Sequence, residues 1–308
     1  MKVLKKGSAG RYIRGSVLTL GNFDGLHLGH RKIIDRVIRR SRSLGVPAVV
    51  YTFDPHPLKV VAPAKSPPLL LDIKDKIRLM EASGVDCLVL ARFTKGFAAK
   101  HPRAFVEEEL HANGVREVWV GHDFSFGRGR TGTVEYLREL GAELGFRVVV
   151  VPAYMRSGAV VSSSRIRELI RDGDVKGASA LLGRHYSIKG RVVKGRGVGG
   201  GIGYPTANLS VTSELIPADG VYAGFAVVDG TAHQAAINIG PSPTFGVGAR
   251  RIEAHLPGFS GNIYGKKMEI DLVARLRGVI AFQSKEALIR RIERDVRRSR
   301  AILNKGMK

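Results

Sequence analysis

The sequence predicts an α/β protein in which a parallel-sheet domain is followed by a smaller antiparallel barrel. From Ser16 to about Leu182, short apolar runs alternate with helical patterns, as consecutive strand–helix–strand units require. After Gly183, glycine becomes frequent and apolar residues alternate with polar ones, which is typical of antiparallel strands. A chain of 308 residues also suits two domains better than one. We therefore predict domains at residues 1–183 and 184–308.

Five apolar runs predict the strands of the first domain, and helical patterns separate them. The first run, SVLTL, is followed by Ile34, Val37 and Ile38 at helical spacing. Three serines at residues 162–164 are typical of the start of a helix. The predicted strands are residues 16–20, 48–53, 86–91, 116–121 and 147–152, and the predicted helices are residues 29–44, 72–83, 102–113, 133–145, 165–174 and 175–183.

The second domain is predicted as a small barrel or sandwich with a helix packed on it. Strands are predicted at residues 186–193, 220–228, 233–240 and 266–276, and the segment RIEAHL forms a further strand. The last helix, residues 284–303, carries Leu288, Ile292 and Val296 along one face. Its other face is basic, since residues 285–308 hold nine Lys/Arg and three Asp/Glu. We interpret it as mostly a solvated face.

The chain is strongly basic, with 50 Lys+Arg against 27 Asp+Glu and a net charge of +23. An anionic partner is therefore expected, and phosphorylated small substrates would suit. Nucleic acid is another candidate, but the charge is spread along the chain and aromatic residues make up only 7%. A basic bias of the solvated surface explains the charge equally well. We predict no specific nucleic-acid partner.

The remaining composition favours a reducing compartment. The single cysteine, Cys87, lies in the apolar segment VDCLVL, which predicts a core position and excludes an intrachain disulfide or a Cys-rich zinc site. No apolar run approaches the roughly 18 residues that a membrane helix needs. The basic start also lacks the apolar segment of a signal peptide. We expect a cytoplasmic protein without membrane contact, and no feature indicates an obligate protein partner.

The stretch TLGNFDGLHLGH, residues 19–30, joins the first strand to the first helix. Gly21 and Gly25 allow a tight turn at the carboxyl edge of the sheet, where open α/β folds bind ligands. A phosphate there would meet a helix N-terminus and the imidazoles of His27 and His30. A His-x-x-His pair alone is more often incidental, and without further ligands it is a poor zinc site. Strand, glycine turn and helix together favour a phosphate site.

With these residues the chain resembles the bifunctional riboflavin kinase/FAD synthetase family. GNFDGLHLGH is similar to the family's first nucleotide signature, and the resemblance continues in the family's order over nearly the whole chain. It implies a Rossmann-like HxGH nucleotidyltransferase domain with a parallel sheet, followed by an antiparallel β-barrel riboflavin kinase domain with a terminal helix. The other matching segments are YTFDPHP, VGHDFSFGRGRTG, SSSRIRELIRDGDVKGASALLGR, GYPTANL, GVYAG, NIGPSPTFG, EAHL and YGKKMEIDLVARLR.

The resemblance implies two reactions that use Mg²⁺ with ATP. The second domain would phosphorylate riboflavin to FMN and yield ADP, and the first would transfer AMP from ATP to FMN, which yields FAD and pyrophosphate. It implies that His27 and His30 are catalytic and hold ATP phosphates. Ser164 stands where the family usually has threonine, which keeps the hydroxyl. The other implied ATP contacts are Gly21, Phe23, Gly25, Ser163, Ser164 and Arg167, and the implied flavin contacts are Phe53, Pro55, Pro57 and Asp123.

In the second domain, the glycine-rich residues 195–203 fit a flap over ATP phosphates better than a Rossmann fingerprint. Gly195, Gly197 and Gly200 satisfy G-x-G-x-x-G, but the pattern runs into Pro205 and a polar turn instead of a helix. The resemblance implies ATP contacts at Gly195 and Gly203, metal and phosphate contacts at Thr206 and Asn208, a catalytic base at Glu253 and a flavin contact at Arg277.

The chain departs from the family in two stretches near the implied kinase site. GFSGNIYG stands where relatives usually carry acidic residues, and RGVIAF replaces a more polar segment. Two alternatives therefore stay open. One is an FMN adenylyltransferase with a flavin-binding barrel that lacks kinase activity, and the other is a basic nucleic-acid-binding protein built on the same folds.

Incubation of the protein with riboflavin and Mg-ATP separates these interpretations. We expect FAD to form from riboflavin, with FMN as the intermediate, when the products are resolved by chromatography. Formation of FAD from FMN but not from riboflavin would indicate the alternative without kinase activity. No product from either flavin would indicate the nucleic-acid-binding protein.

Overall fold

The computed structural model describes residues 1–5, 10–195, 199–241 and 250–305. The chain divides into two compact units, Met1–Ser163 and Ser164–Lys308. Gly197 and residues 242–249 of the NIGPSPTFG segment and its continuation lie outside the described residues. The domain boundary after residue 183 stays a prediction.

A six-stranded parallel sheet forms the centre of the first unit, and the five predicted strands are confirmed. A sixth strand, β1, lies at the edge of the sheet. It was not predicted, because the short run KVLK carries too little apolar pattern to indicate a strand. The sheet order is β1-β4-β3-β2-β5-β6, with every neighbouring pair parallel. The strands are β1 (Lys2–Lys5), β2 (Val17–Leu20), β3 (Ala48–Asp54), β4 (Cys87–Arg92), β5 (Glu117–Gly121) and β6 (Arg147–Val151).

Both faces of this sheet are covered by helices, so the strands are apolar on both sides. Val50 packs with Ile34 and Met80 on one face, and Val49 packs with Leu110 and Leu137 on the other. The helices are α1 (Gly10–Ile13), α2 (Leu28–Leu44), α3 (Pro57–Val61), α4 (Ile73–Ala82), α5 (Lys95–Ala98), α6 (Pro102–Val106), continued by a π turn at Glu107–His111, and α7 (Val134–Leu144); β7 (Met155–Arg156) and β8 (Ala159–Val160) form a hairpin.

The strand order places two predicted site segments at adjacent positions. From β2 the chain runs to β3 on one side of the sheet and later to β5 on the other. The segments after β2 and β5 therefore start side by side at the carboxyl edge, at the switch point where open α/β sheets bind ligands. These segments carry His27 and Asp123.

A closed antiparallel barrel forms the centre of the second unit, in the order β10-β13-β12-β11-β14-β9. The predicted strands are confirmed. The polar turn predicted after Pro205 is wrong, because Ala207 and Leu209 alternate with Asn208 and the segment forms strand β10. The strands are β9 (Tyr186–Val193), β10 (Ala207–Val211), β11 (Gly220–Val228), β12 (Thr231–Pro241), β13 (Arg250–His255) and β14 (Lys267–Arg277).

The second unit also contains helices α9 (Val175–Leu182) and α10 (Lys285–Lys305) and all but the first residue of α8 (Ser163–Arg171). Helix α8 begins at the last residue of the first unit. Helix α10 packs on the outer face of the barrel, as predicted, and its Leu303 joins Val221 and Leu276 in one apolar cluster. Over the described ranges, no helix combines the length and the apolar character needed to cross a membrane.

The buried face of α9 generates a prediction about the domain boundary. Val175, Ala178 and Leu182 are buried, and the helix contacts β9 and β14 of the barrel. A fragment of residues 184–308 loses these contacts, each apolar side chain being worth about 1–3 kcal/mol. We expect it to fold, but to melt at a lower temperature than residues 164–308 when unfolding is followed by circular dichroism. Equal melting temperatures would show that α9 does not stabilise the barrel.

Candidate active sites

The turn between β2 and α2 has a backbone shape that few sequences can adopt. The Gly21 N–H donates to the Tyr51 carbonyl at 3.1 Å, which fixes the start of the turn to the neighbouring strand. Phe23 and Leu26 have φ angles of 47° and 39°, values that are uncommon for residues with a side chain, and Gly25 has φ 80°. Strain of this kind is typical of ligand-binding segments.

His27 is the N-cap of helix α2. Its Nδ1 accepts a hydrogen bond from the His30 N–H at 3.3 Å, so the neutral ring carries its proton on Nε2. The two imidazoles stack, with ring centroids 3.6 Å apart and an angle of 16° between planes. The structure therefore brings the predicted histidine pair together at the N-terminus of a helix, where anions are favoured.

Gly29 explains why the pair is spaced by Leu-Gly. A Cβ at this position would lie 3.1 Å from the Nδ1 of His27 and 3.4 Å from the Val161 carbonyl. A side chain there would press on the capping imidazole. Gly29 is not among the predicted site residues, although its place between the two histidines was the available signal.

His30 is held in its neutral form. Burial lowers its pKa well below the ordinary value, and the neighbouring His27 and Lys76 lower it further. Its Nδ1 is buried and has no hydrogen-bond partner in the part of the chain that the structure describes. The ring edge of Phe23 packs against it at 5.2 Å, which helps to fix its orientation.

Asp24 connects the turn to two other segments, a role that the sequence alone did not indicate. Its buried carboxylate accepts the N–H groups of Leu70 and Leu71 at 3.0–3.3 Å. Its carbonyl accepts the Ser163 hydroxyl at 2.8 Å. Ser163 therefore lies at the histidine turn. Along α8, the next two predicted ATP contacts are the exposed Ser164 and the buried Arg167.

The predicted flavin contacts of the first unit lie at the ends of β3 and β5. Phe53 is half-buried and packs edge to face on Phe93, at 5.4 Å. The exposed Pro55 follows, and Pro57 opens helix α3. Asp123 is exposed just after β5.

On the barrel, Asn208 of β10 lies directly opposite Glu253 of β13. Both side chains are half-buried, whereas the flanking residues Leu209, Ile252 and Ala254 are buried. Because paired residues point to the same side of a sheet, the amide and the carboxylate are neighbours on the outer face of the barrel. Arg251 lies 3.6 Å from the Glu253 carboxylate. The structure thus brings together two residues that are 45 positions apart in the sequence.

Two described glycines of the predicted flap, Gly195 and Gly199, lie close to these side chains, and residues 196–198 of the flap lie outside the described residues. A Cβ at Gly195 would lie 2.1 Å from the Asn208 side-chain nitrogen, and one at Gly199 would lie 3.4 Å from the Thr206 hydroxyl. Glycine at both positions therefore lets the backbone approach Thr206 and Asn208 closely. Gly203 has φ 84° and ends the short helical turn of the flap.

Arg277 occupies a more structural position than the other predicted residues. Its Nε donates to Asp295 of α10 at 2.8 Å, and Arg291 holds the second oxygen of that carboxylate at 3.2 Å. The guanidinium also lies 5.8 Å from the ring centre of Phe282. Phe282 lines an open pocket between the flap residue Ile202 and the start of α10.

The oxygen atoms of Thr206 and Asn208 suit a hard divalent cation that is carried by phosphates, because such ions need only one or two protein ligands. The close backbone approach at Gly195 and Gly199 leaves these side chains in a cradle that a Cβ would fill. Within the described ranges, no group of three or more His, Cys, Asp or Glu could hold a metal ion alone.

Comparisons with known proteins match each of the two units to a family. The FAD synthetase family model matches residues 10–165, and the riboflavin kinase family model matches residues 182–303. The bifunctional riboflavin kinase/FMN adenylyltransferase of Haemophilus influenzae is 34% identical over 300 residues, which cover 96% of this chain and 97% of that protein. The enzyme of the same name from Escherichia coli is 35% identical and covers 91% of this chain and 90% of its own length.

A solved structure also matches both units. The structure described as a macrolide-efflux protein from Streptococcus pneumoniae superimposes with a TM-score of 0.87 at 29% identity, covering 97% of this chain and 99% of that chain. Its fold is therefore the fold of this chain. From the two family models and the relatives that match over nearly the full length, the chain belongs to the bifunctional riboflavin kinase/FMN adenylyltransferase family.

Proposed function

We propose that each activity of this bifunctional enzyme has its own site, built from the residues described above. The protein phosphorylates riboflavin to FMN and adenylylates FMN to FAD, with ATP as the donor in both reactions. The observation that supports separate sites is the pair of polar clusters. The stacked His27 and His30 lie at a sheet edge, and Asn208 and Glu253 lie across two strands of a barrel.

In the adenylylation, an oxygen of the FMN phosphate attacks the α-phosphorus of ATP, and the bond from that phosphorus to the bridging oxygen of pyrophosphate breaks. Negative charge grows on the phosphate oxygens as this happens. We assign His27 and His30 as donors to those oxygens, since they lie at the positive end of α2. Approaching phosphates favour the cationic imidazole, so ATP opposes the effects that keep His30 neutral.

The other residues that the resemblance implies for the adenylylation bind its two substrates. We assign the backbone at Gly21, Phe23 and Gly25, together with Ser163, Ser164 and Arg167, to ATP. The hydrogen bond from Ser163 to Asp24 supports this assignment for the start of α8. A guanidinium can hold a phosphate through two parallel hydrogen bonds. We assign FMN to the ends of β3 and β5, at Phe53, Pro55, Pro57 and Asp123.

In the kinase reaction, the terminal hydroxyl of riboflavin attacks the γ-phosphorus of ATP, and ADP leaves. Glu253 accepts the hydroxyl proton, and its place beside Asn208 supports this role. We assign Gly195 and Gly203, the described ends of the predicted flap, to the ATP phosphates. Arg277 is assigned to the flavin side of the same site, where Phe282 is its aromatic neighbour.

The two reactions use a divalent metal with ATP, and we propose that it is Mg²⁺. When bound, this ion neutralises charge on the phosphates that are transferred or released. Thr206 and Asn208 would hold it in the barrel through their side-chain oxygens. Oxygen ligands of this kind, without a carboxylate cage, support Mg²⁺ over softer metals.

We expect His30→Ala to abolish FAD formation from FMN and to leave FMN formation from riboflavin unchanged. The imidazole serves only the adenylylation, and losing one preorganised donor costs about 10²–10³-fold in rate. Both rates are measured on one preparation, so the kinase rate controls for folding. A variant that adenylylates FMN at the wild-type rate would contradict the assignment.

Glu253→Gln tests the kinase base, because it keeps the shape and removes the proton acceptor. We expect FMN formation to fall on the order of 10²–10⁴-fold, with FAD formation from supplied FMN unchanged. Glu269→Gln is a matched control, since Glu269 is also a half-buried strand residue 3.6 Å from a basic partner, Lys189. If both variants keep the wild-type rate, Asp219 and Asp229 are the next carboxylates to test.

A further inference from the structure

A buried lysine of α4 contacts the histidine turn and has no part in the reaction as assigned above. Lys76 is only 7% exposed, and its ammonium donates to the carbonyl of Asn22 at 2.8 Å. The hydroxyl of Thr52, on β3, donates to the same carbonyl at 3.3 Å. The turn that leads to His27 and His30 is therefore anchored at one oxygen by two separate elements.

Burying an ammonium is unfavourable unless partners replace its water. Burial lowers the pKa of Lys76, and the carboxylates of Asp24 and Asp54 raise it. The lysine thus lies among two acids, a backbone carbonyl and the histidine pair. A lysine that served only solubility would point into water, so this one has a local role.

The turn that leads to His27 and His30 is also held by a second residue, Asp24. Asp24 accepts the N–H groups of Leu70 and Leu71, just before Asp72 caps α4 by accepting the Asp75 N–H at 2.8 Å. The histidine turn therefore contacts residues 70–76, which include the start of α4, at two points: the Asp24 carboxylate and the Asn22 carbonyl. A shift of the turn would break both contacts.

We propose that Lys76 is a positioning residue of the adenylylation site, which fixes the turn before the histidine pair through Asn22 and places an ammonium group beside that pair. The inference rests on the proposed role of His30. The charged groups that act on His30 are His27 and Lys76, and those that act on Lys76 are Asp24 and Asp54. The lysine acts on the reaction through the turn and the imidazoles.

The test compares three substitutions in the full chain. Lys76→Met keeps the length of the side chain and removes the donor and the charge. Thr52→Val removes only the neutral donor to the same carbonyl. Lys74→Met changes an exposed lysine of the same helix and is the matched control. For each variant, FAD formation from FMN, FMN formation from riboflavin and the melting temperature are measured.

We expect Lys76→Met to lower kcat for FAD formation on the order of 10–10²-fold, because a small misplacement of reacting groups has effects of this size. Riboflavin phosphorylation stays unchanged, and Lys74→Met leaves both rates unchanged. Removing the cation raises the pKa of His30. The inflection that His30 contributes to the pH profile of kcat/KM for FAD formation therefore moves to higher pH in Lys76→Met, whichever form of the ring is active. Thr52→Val lowers kcat less and leaves that inflection in place.

Three results would overturn the inference. One is a wild-type kcat in Lys76→Met. Another is a raised KM for ATP alone with an unchanged pH profile, which would show direct contact of Lys76 with ATP. The third is a loss of both activities with a lower melting temperature, while Thr52→Val stays at the wild-type rate. His30→Ala, assayed in parallel, separates these from a failure of the proposed function, which would appear as full FAD formation without the imidazole.

Discussion

The hydrogen bond from the His30 N–H to the His27 imidazole determines the geometry of the histidine turn, where we propose that adenylylation takes place. A helix must satisfy its first N–H groups, and here a ring that faces the ligand site does so in place of a serine or an aspartate. Because His27 accepts this hydrogen bond through Nδ1, both the rotamer of its side chain and the tautomer of its ring are fixed. This cap also requires glycine at position 29 and stacks the second imidazole on the first. The strained turn before it places the cap at the end of β2.

In the barrel, the constraint on the structure is the closure of the sheet. When six antiparallel strands close into a barrel, both edges of every strand are hydrogen-bonded to a neighbour, so the register of each strand pair is fixed around the whole barrel. Asn208 and Glu253 are neighbours because of that register, although they come from separate segments. Helix α10 packs on β11, β12 and β14, whereas the proposed kinase residues Asn208 and Glu253 lie on β10 and β13.

Sequence reasoning recovered the strands and helices whose periodicity is strong, and the family motifs singled out polar residues that the structure brings together, His27 with His30 and Asn208 with Glu253. It missed β1 and β10, which are short and rich in polar residues, so their identity depends on the strands they pair with. Lys76 could not be predicted, because one lysine on an amphipathic helix resembles a solvated residue until the packing is known. The contacts of Asp24 are equally non-local, since they join residues 46 and 139 positions away.

The alternation along β13 has an evolutionary consequence. Ile252 and Ala254 face the interior and maintain the fold, whereas Glu253 between them faces outward. If Glu253 has the proposed role, mutations at odd and even positions of such a strand are therefore under different selective pressures, one on catalysis and one on folding. Asn208, between Ala207 and Leu209, follows the same rule. A lineage can in this way retune or lose the kinase reaction by changing every second residue, while the barrel that carries it persists.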